Sequence, residues 1–155
     1  MLNDPNDPKI RIITIYRCKE QIVSKEAARQ IITTMFVEFD GLTHDRKEMP
    51  NQPKQPFPPT GFYAVLSIAF VLHKITSIGS EPCTTRYGTI SIEVSAKLDT
   101  GLKGITELTD ALEEHFALKT RGKLWTSTGN TIYNGEDKSR TRYFATVHIP
   151  FTFEE

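Results

Sequence analysis

Residues 90–98 alternate without a break, with Ile90, Ile92, Val94, Ala96 and Leu98 apolar and Ser91, Glu93, Ser95 and Lys97 polar between them. A period of two puts the apolar set on one face of a pleated strand and the polar set on the other. This segment therefore asks for a sheet with one face buried and one face wet. The closing segment asks for the same: from Tyr143 onward, Ala145, Val147, Ile149, Phe151 and Phe153 are apolar at every odd position. Pro150 falls on the other set and has no amide proton for a ladder, which predicts an edge or a bulge at that end.

Two helical stripes can cover such a face. Over 24–41, Ala28, Ile32, Met35 and Phe39 recur at helical spacing, with Ser24 as N-cap and Gly41 in the left-handed closing position. Ile105, Leu108, Leu112 and Phe116 mark the second stripe, opposite Glu107, Asp110, Glu113 and Glu114, which read as a solvated face. Residues 62–73 are apolar on both alternate sets, which predicts a central strand covered on both faces and antiparallel to 90–98 across the turn-rich 76–84. Shorter strands are expected within 119–128 and 131–133, followed by an Asn134-Gly135 turn. Between the first helix and the sheet, Met49–Gly61 holds five of the nine prolines, so neither helix nor paired strand runs through it. It reads as an extended connection crossing the surface, or as a stiff strip that docks a partner.

Residues 1–8 read as a polar arm. Ile10-Arg11-Ile12-Ile13-Thr14-Ile15-Tyr16 is β-branched and strand-length, either a member of the sheet or an arm that pairs with a neighbouring subunit. The expectation is an α+β fold in one domain: a mixed, mostly antiparallel β-sheet in the order β-α-β-β-α-β-β-β, two α-helices packed on one face, and an N-terminal arm or extra strand over 1–17 ahead of 18–155.

With 155 residues, 38% hydrophobic and 25% charged, the chain lies in the ordinary globular range, which excludes a disordered chain and a disulfide miniprotein. Nineteen basic residues balance nineteen acidic ones, so bulk charge gives no attraction to nucleic acid or to an anionic membrane and permits self-association. Cys18 and Cys83 are far apart and outside any CxxC or Cys/His spacing; they read as reduced thiols. The first residues do not resemble a secretory signal, and the apolar run 63–72 is about ten residues, short of the ~20 a spanning helix needs. The expectation is a soluble protein made inside a cell, with no membrane partner.

GxxxxGK[ST], GxSxG, HExxH and GxGxxG are all missing from the sequence. His44, His73, His115 and His148 stand singly and read as ordinary packed or solvated histidines. Neither catalysis, metal nor cofactor is expected. One feature favours another class: Lys119, Arg121, Lys123 and Trp125, then Lys138, Arg140, Arg142 and Tyr143, put basic and aromatic residues on two neighbouring strands. A nucleic-acid-binding module over 119–143 is therefore the rival reading, although Glu136 and Asp137 interrupt the patch.

Pro56-Phe57-Pro58-Pro59-Thr60-Gly61-Phe62-Tyr63-Ala64-Val65-Leu66 resembles the tail terminator proteins of long-tailed bacteriophages. The likeness extends through the amphipathic first helix, the strand opening Arg86-Tyr87-Gly88-Thr89-Ile90-Ser91-Ile92-Glu93-Val94, the helix Leu108–Phe116 and the closing strand Tyr143–Phe153, about residues 24–153 in all. It implies a structural virion protein of the tail neck, assembled in the host cytoplasm, that caps the tail tube as a homohexameric ring and stops tube polymerisation. The implied partners are further copies of the chain, the tail tube protein and the head-tail connector or stopper protein. DNA would pass through the ring without specific binding. A head-closure or connector subunit is the alternative within that class. Ile10, Ile12, Ile13 and Ile15 are then expected at a subunit interface. Arg86, Arg140 and Arg142, on the loops 77–86 and 126–142, are expected against tube or connector subunits.

Overall fold

The computed structural model describes residues 25–53, 56, 58, 60–79, 82–139 and 141–154. Residues 1–24, with the arm, the Ile10–Tyr16 run, Cys18 and the Ser24 cap, lie outside them. The described elements are α1 (Lys25–Glu38), a 3-10 turn (His44–Arg46), β1 (Lys47–Glu48), β2 (Tyr63–Ile75), β3 (Thr84–Lys97), α2 (Lys103–Phe116), β4 (Thr120–Arg121), β5 (Leu124–Thr126), β6 (Asn130–Glu136) and β7 (Arg142–Glu154). Seven strands form one sheet in the order β1-β2-β3-β7-β5-β4, with β6 also on β7. Among the described residues only β1 and β2 pair in parallel. The expected α+β fold with two helices is what the chain adopts.

The period-two segments make the centre of this sheet. Ile90, Ile92, Val94 and Ala96 of β3 lie opposite Ile149, Val147, Ala145 and Tyr143 of β7, and the β3 set is buried together with Ala145, Val147, Ile149, Phe151 and Phe153. The same buried cluster holds Ala28, Ile32, Met35 and Phe36 from α1 and Ile105, Leu108, Leu112 and Phe116 from α2, so both helices cover one face. Fully burying side chains of this size contributes about 1.5–3 kcal/mol each. The helices also meet each other: the His115 Nε2–H donates to the Met35 carbonyl at 2.6 Å, and its ring packs edge-on against Phe39 and Phe116.

The ends of α1 are tied by charge. Glu26 accepts from Arg29 Nε at 2.7 Å and Gln30 Nε2 at 3.1 Å. The Arg29 bond is the main reason its carboxyl is held at about 2. At the other end Lys47, 9% exposed, donates from Nζ to the carbonyls of Val37 and Phe39, and its ammonium lies 5.8 and 5.7 Å from the ring centres of Phe36 and Phe39. A cation here satisfies orphan carbonyls and matches the negative end of the helix dipole, while burial pulls its pKa below the usual lysine value. The expected left-handed Gly41 is corrected: its φ is not positive, and its missing side chain makes room for the Phe39 ring.

Three other expectations change. Pro150 is not at an edge, because β7 is a central strand. β6 pairs with it as far as His148, β5 takes over at Phe151, and the Pro150 carbonyl accepts from Ser127 N at 2.9 Å in the gap between them. A residue's N–H and C=O point the same way in a strand, so the missing donor faces that gap. Asn134-Gly135 is not a hairpin turn but part of β6, where the register shifts and Gly135 takes φ +84° as a bulge. β2, read as covered on both faces, is so only at its start: Tyr63, Ala64 and Leu66 are buried, and exposure rises from Ser67 onward.

Candidate interaction surface

Beyond Phe70, β2 and β3 continue as a hairpin that leaves the core. Leu72 pairs with Tyr87, His73 with Arg86, Lys74 with Thr85 and Ile75 with Thr84, after a bulge at Val71. Its end is closed by Thr76 N donating to the Cys83 carbonyl at 2.9 Å and by Cys83 N donating to Ser77 Oγ at 2.7 Å. The apolar side chains here are uncovered: Val71 is 72% exposed, Leu72 47%, Ile75 69% and Ile78 105%. Four of the nine exposed large hydrophobics among the described residues fall in these eight positions, whereas the others are spread over four elements and loops. Scattered apolar residues need no explanation, but a concentration on one projecting element makes that element the candidate for a contact surface.

Cys83 is disulfide-bonded, which corrects the reading of it as a reduced thiol. Arg86 stands in β3 and is half-buried, not in a loop as expected. The loop expected over 126–142 is largely strand as well, since it contains β6.

Arg142 is the clearest correction among the expected contact residues. It opens β7 at 6% exposure and spends its donors internally: Nε on Ser95 Oγ at 3.0 Å, Nη2 on the carbonyls of Ser95 and Gly61 at 3.1 and 3.3 Å, and Nη1 on the Pro58 carbonyl at 3.2 Å. Burial lowers its pKa, partly offset by Asp137, and the guanidinium stays charged. Arg46 works beside it, with Nη1 on the Thr60 carbonyl at 2.7 Å and the Phe62 carbonyl at 3.3 Å. Two arginines thus fasten the proline-rich connection to the sheet, and Arg142 holds the fold rather than a partner. Sequence reading missed this pair because its targets are carbonyls, which any residue type supplies.

The turn before Arg142 is organised by Asp137. Its carboxylate accepts from Ser139 Oγ at 2.5 Å, Thr141 Oγ1 at 2.8 Å, Thr141 N at 2.7 Å and Arg142 N at 3.2 Å. These bonds, the Ser139 hydroxyl first, hold the carboxyl well below the usual carboxylate range. Arg140 lies outside the described residues, as do Ile10, Ile12, Ile13 and Ile15.

The basic patch expected on two neighbouring strands is split. β5 lies opposite Phe151–Phe153 and the end of β6 opposite Tyr143, eight residues of β7 apart or about 26 Å. Arg121 is further committed to Glu38 in an ion pair between β4 and α1, and Trp125 is half-buried. On the open face of the sheet, His148 Nδ1 and Ser91 Oγ lie 3.0 Å apart; Glu113, expected in solvent, is half-buried and accepts from Thr131 Oγ1.

Among the described residues no group of three or more His, Cys, Asp or Glu could hold a metal ion. The cavity beside β1, lined by His44, Asp45, Lys47, Glu48, Gln52 and Tyr63, has a volume of about 190 Å³, and the one between Lys97–Leu102 and Tyr143 about 180 Å³. Both are below the roughly 300–1,000 Å³ of small-molecule sites. In the first, Tyr63 donates to Glu48 at 2.9 Å, and burial followed by that bond pushes the phenol up to about 12.

No family model matches the chain, and no curated protein matches it. Among solved structures, one superposes with a TM-score of 0.57 over 81% of this chain and 94% of the other, at 12% identity. At that identity the likeness is one of fold.

Proposed function

We propose that this chain is a ring-forming structural protein of the phage tail, a tail terminator that caps the tube, halts its growth and joins it to the head connector. The observation that carries the reading is the projecting hairpin with Val71, Leu72, Ile75 and Ile78 exposed, a surface that a lone subunit leaves in water at a cost of up to a few kcal/mol and that a neighbour covers. It is joined by the ordered resemblance of residues 24–153 to tail terminators and by a net charge of +0, which leaves subunits free of mutual repulsion. A closed ring needs one patch on each subunit to meet a different patch on the next, and a hairpin that stands off the core reaches past its own subunit's edge. The nucleic-acid reading loses the convergence it relied on, because the basic residues of β4 and β5 are separated from the β6–β7 turn.

The test is the solution mass of the purified chain by light scattering, followed by imaging of tail tubes mixed with it. The expected result is a closed assembly of about six copies, seated on tube ends. A strict monomer at every concentration that leaves tube ends bare overturns the reading. Assemblies that ignore tubes and bind connectors instead replace it with a head-closure subunit.

A further inference from the structure

We propose that copies of this chain join edge to edge, β6 of one copy pairing antiparallel with the outer edge of β2 on the next. This names the two surfaces that meet in the ring proposed above, and rests on that reading for the neighbour being a second copy. Both edges stand open. β1 pairs only with Ala64 and Val65, and among the described residues no strand lies outside β2 beyond them; β6 pairs with β7 on one side and, among the described residues, with no strand on the other. Six of the nine exposed large hydrophobics among the described residues fall on these two borders, Val71, Leu72, Ile75 and Ile78 on one and Ile132 and Tyr133 on the other. An open apolar edge is a template for another strand.

Direction and register agree. Along β2-β3-β7-β6 every pairing is antiparallel, so β6 runs opposite to β2. Rotation about an axis along the strands keeps each strand's direction, so β6 of one copy meets β2 of the next in the antiparallel sense already used within the subunit. The same rotation keeps the helix-covered face on one side. Phe70 and Tyr133 lie on that face, opposite Gly88 and Ala145, while Leu72 and Ile132 lie on the other, opposite Tyr87 and Thr146. With Val71 bulged between Phe70 and Leu72, one register sets Phe70 beside Tyr133 and Leu72 beside Ile132, an apolar pair on each face.

Charge completes the fit. The helix-covered side of the β2 border is basic: the Lys25 ammonium stands 5.7 Å from the centre of the Phe70 ring, His73 and Arg86 follow on the same face, and Glu26 is bonded to Arg29. The same side of the β6 border is acidic. Tyr133 and Thr131 reach α2 at Thr106 and Glu113, and Asp110 lies between those two on one helical stripe, while Lys103 is paired with Glu107. The register above puts His73 opposite Thr131, so the basic border of one copy is set against Asp110 and Glu113 of the next. Complementary borders favour β2 meeting β6 and oppose β2 meeting β2.

Two variants of the full chain, weighed by light scattering, test the pairing. Leu72→Asp spoils the β2 edge and Ile132→Asp the β6 edge, each at a position about half exposed, so the β7 amides are expected to keep the parent's protection; Leu72→Asn and Ile132→Asn replace them should that protection fall. Each variant alone is expected to lose assembly and weigh one subunit. An equimolar mixture is expected to form pairs and nothing larger, because each pair holds one intact β2 edge and one intact β6 edge. Either variant assembling as the parent does, or a mixture that stays monomeric, overturns the pairing and leaves the ring reading to its own test at tube ends. A parent that is monomeric at every concentration also overturns the pairing, and imaging of tube ends decides separately whether the capping reading falls with it.

Discussion

The two ends of β2 are built from the same kind of residue and paired to the same partner, yet they live in different solvents. Ala64 and Leu66 face the helices at 0% and 1% exposure, while Leu72 and Ile75, equally apolar and equally laddered to β3, stand at 47% and 69%. Strand propensity and hydrogen bonding are therefore not what separates the ends. What separates them is cover: α1 and α2 lie over the first half and end before the second. Stability is concentrated where the helices are, and the part they do not reach keeps its apolar side chains in water.

The largest effect that can test this contrast is a pair of truncations. Leu66→Ala is expected to cost about 3 kcal/mol of folding stability and Leu72→Ala less than about 0.5 kcal/mol, read from denaturant midpoints. Equal costs would erase the distinction. Next comes Arg142→Met, which removes the donors to Pro58, Gly61 and both Ser95 oxygens; it is expected to cost about 2 kcal/mol and to speed amide exchange in 60–62 while sparing the hairpin end.

A smaller effect is set by pH in the β6–β7 turn. The Asp137 carboxyl is lowered in the folded chain, so its contribution is complete above the ordinary value near ~3.9 and is lost as pH falls through the lower folded value. The Thr141 and Arg142 amides are expected to lose protection only at strongly acidic pH, and in Asp137→Asn to show no such titration. The smallest change in stability belongs to the triple variant Val71→Ser, Ile75→Ser, Ile78→Ser, expected within about 0.5 kcal/mol of the parent by denaturant unfolding and yet monomeric by light scattering. A triple variant that unfolds early would return the hairpin to the core; one that still assembles would move the interface elsewhere.

Much of this contrast was invisible in the sequence, for reasons that differ by element. The half-buried strands and both helices were legible because their periods of two and 3.6 are written within each segment, as in Ile90–Ala96 and Ile105–Phe116. β2 misled because an apolar run looks the same whether a helix covers it or not, and the cover comes from helices far along the chain, Lys25–Glu38 and Lys103–Phe116. Arg142 misled for the same reason at longer range, since the carbonyl of Pro58 that it reaches is 84 residues distant. Asn134-Gly135 carried the composition of a turn but sits opposite β7 as a bulge, because Asp137 supplies the reversal two residues later. Of the expected contact residues, Arg86 stands on the hairpin's ladder and not in the loop expected for it, while Val71 and Leu72 nearby were read as part of a covered strand because they resemble core.

The position of β7 in the sheet also bears on how the chain is made. It is made after every other described strand, and it pairs with β3, β5 and β6. Until those thirteen residues emerge, the apolar stripes of α1, α2 and β3 have no completed sheet to close on, and the β3 partners of β7 lie roughly sixty residues back along the chain. Folding is thus dominated by distant pairings, which makes it slow and leaves the incomplete chain dependent on protection from premature association. The apolar face of the sheet is closed only once β7 has joined it.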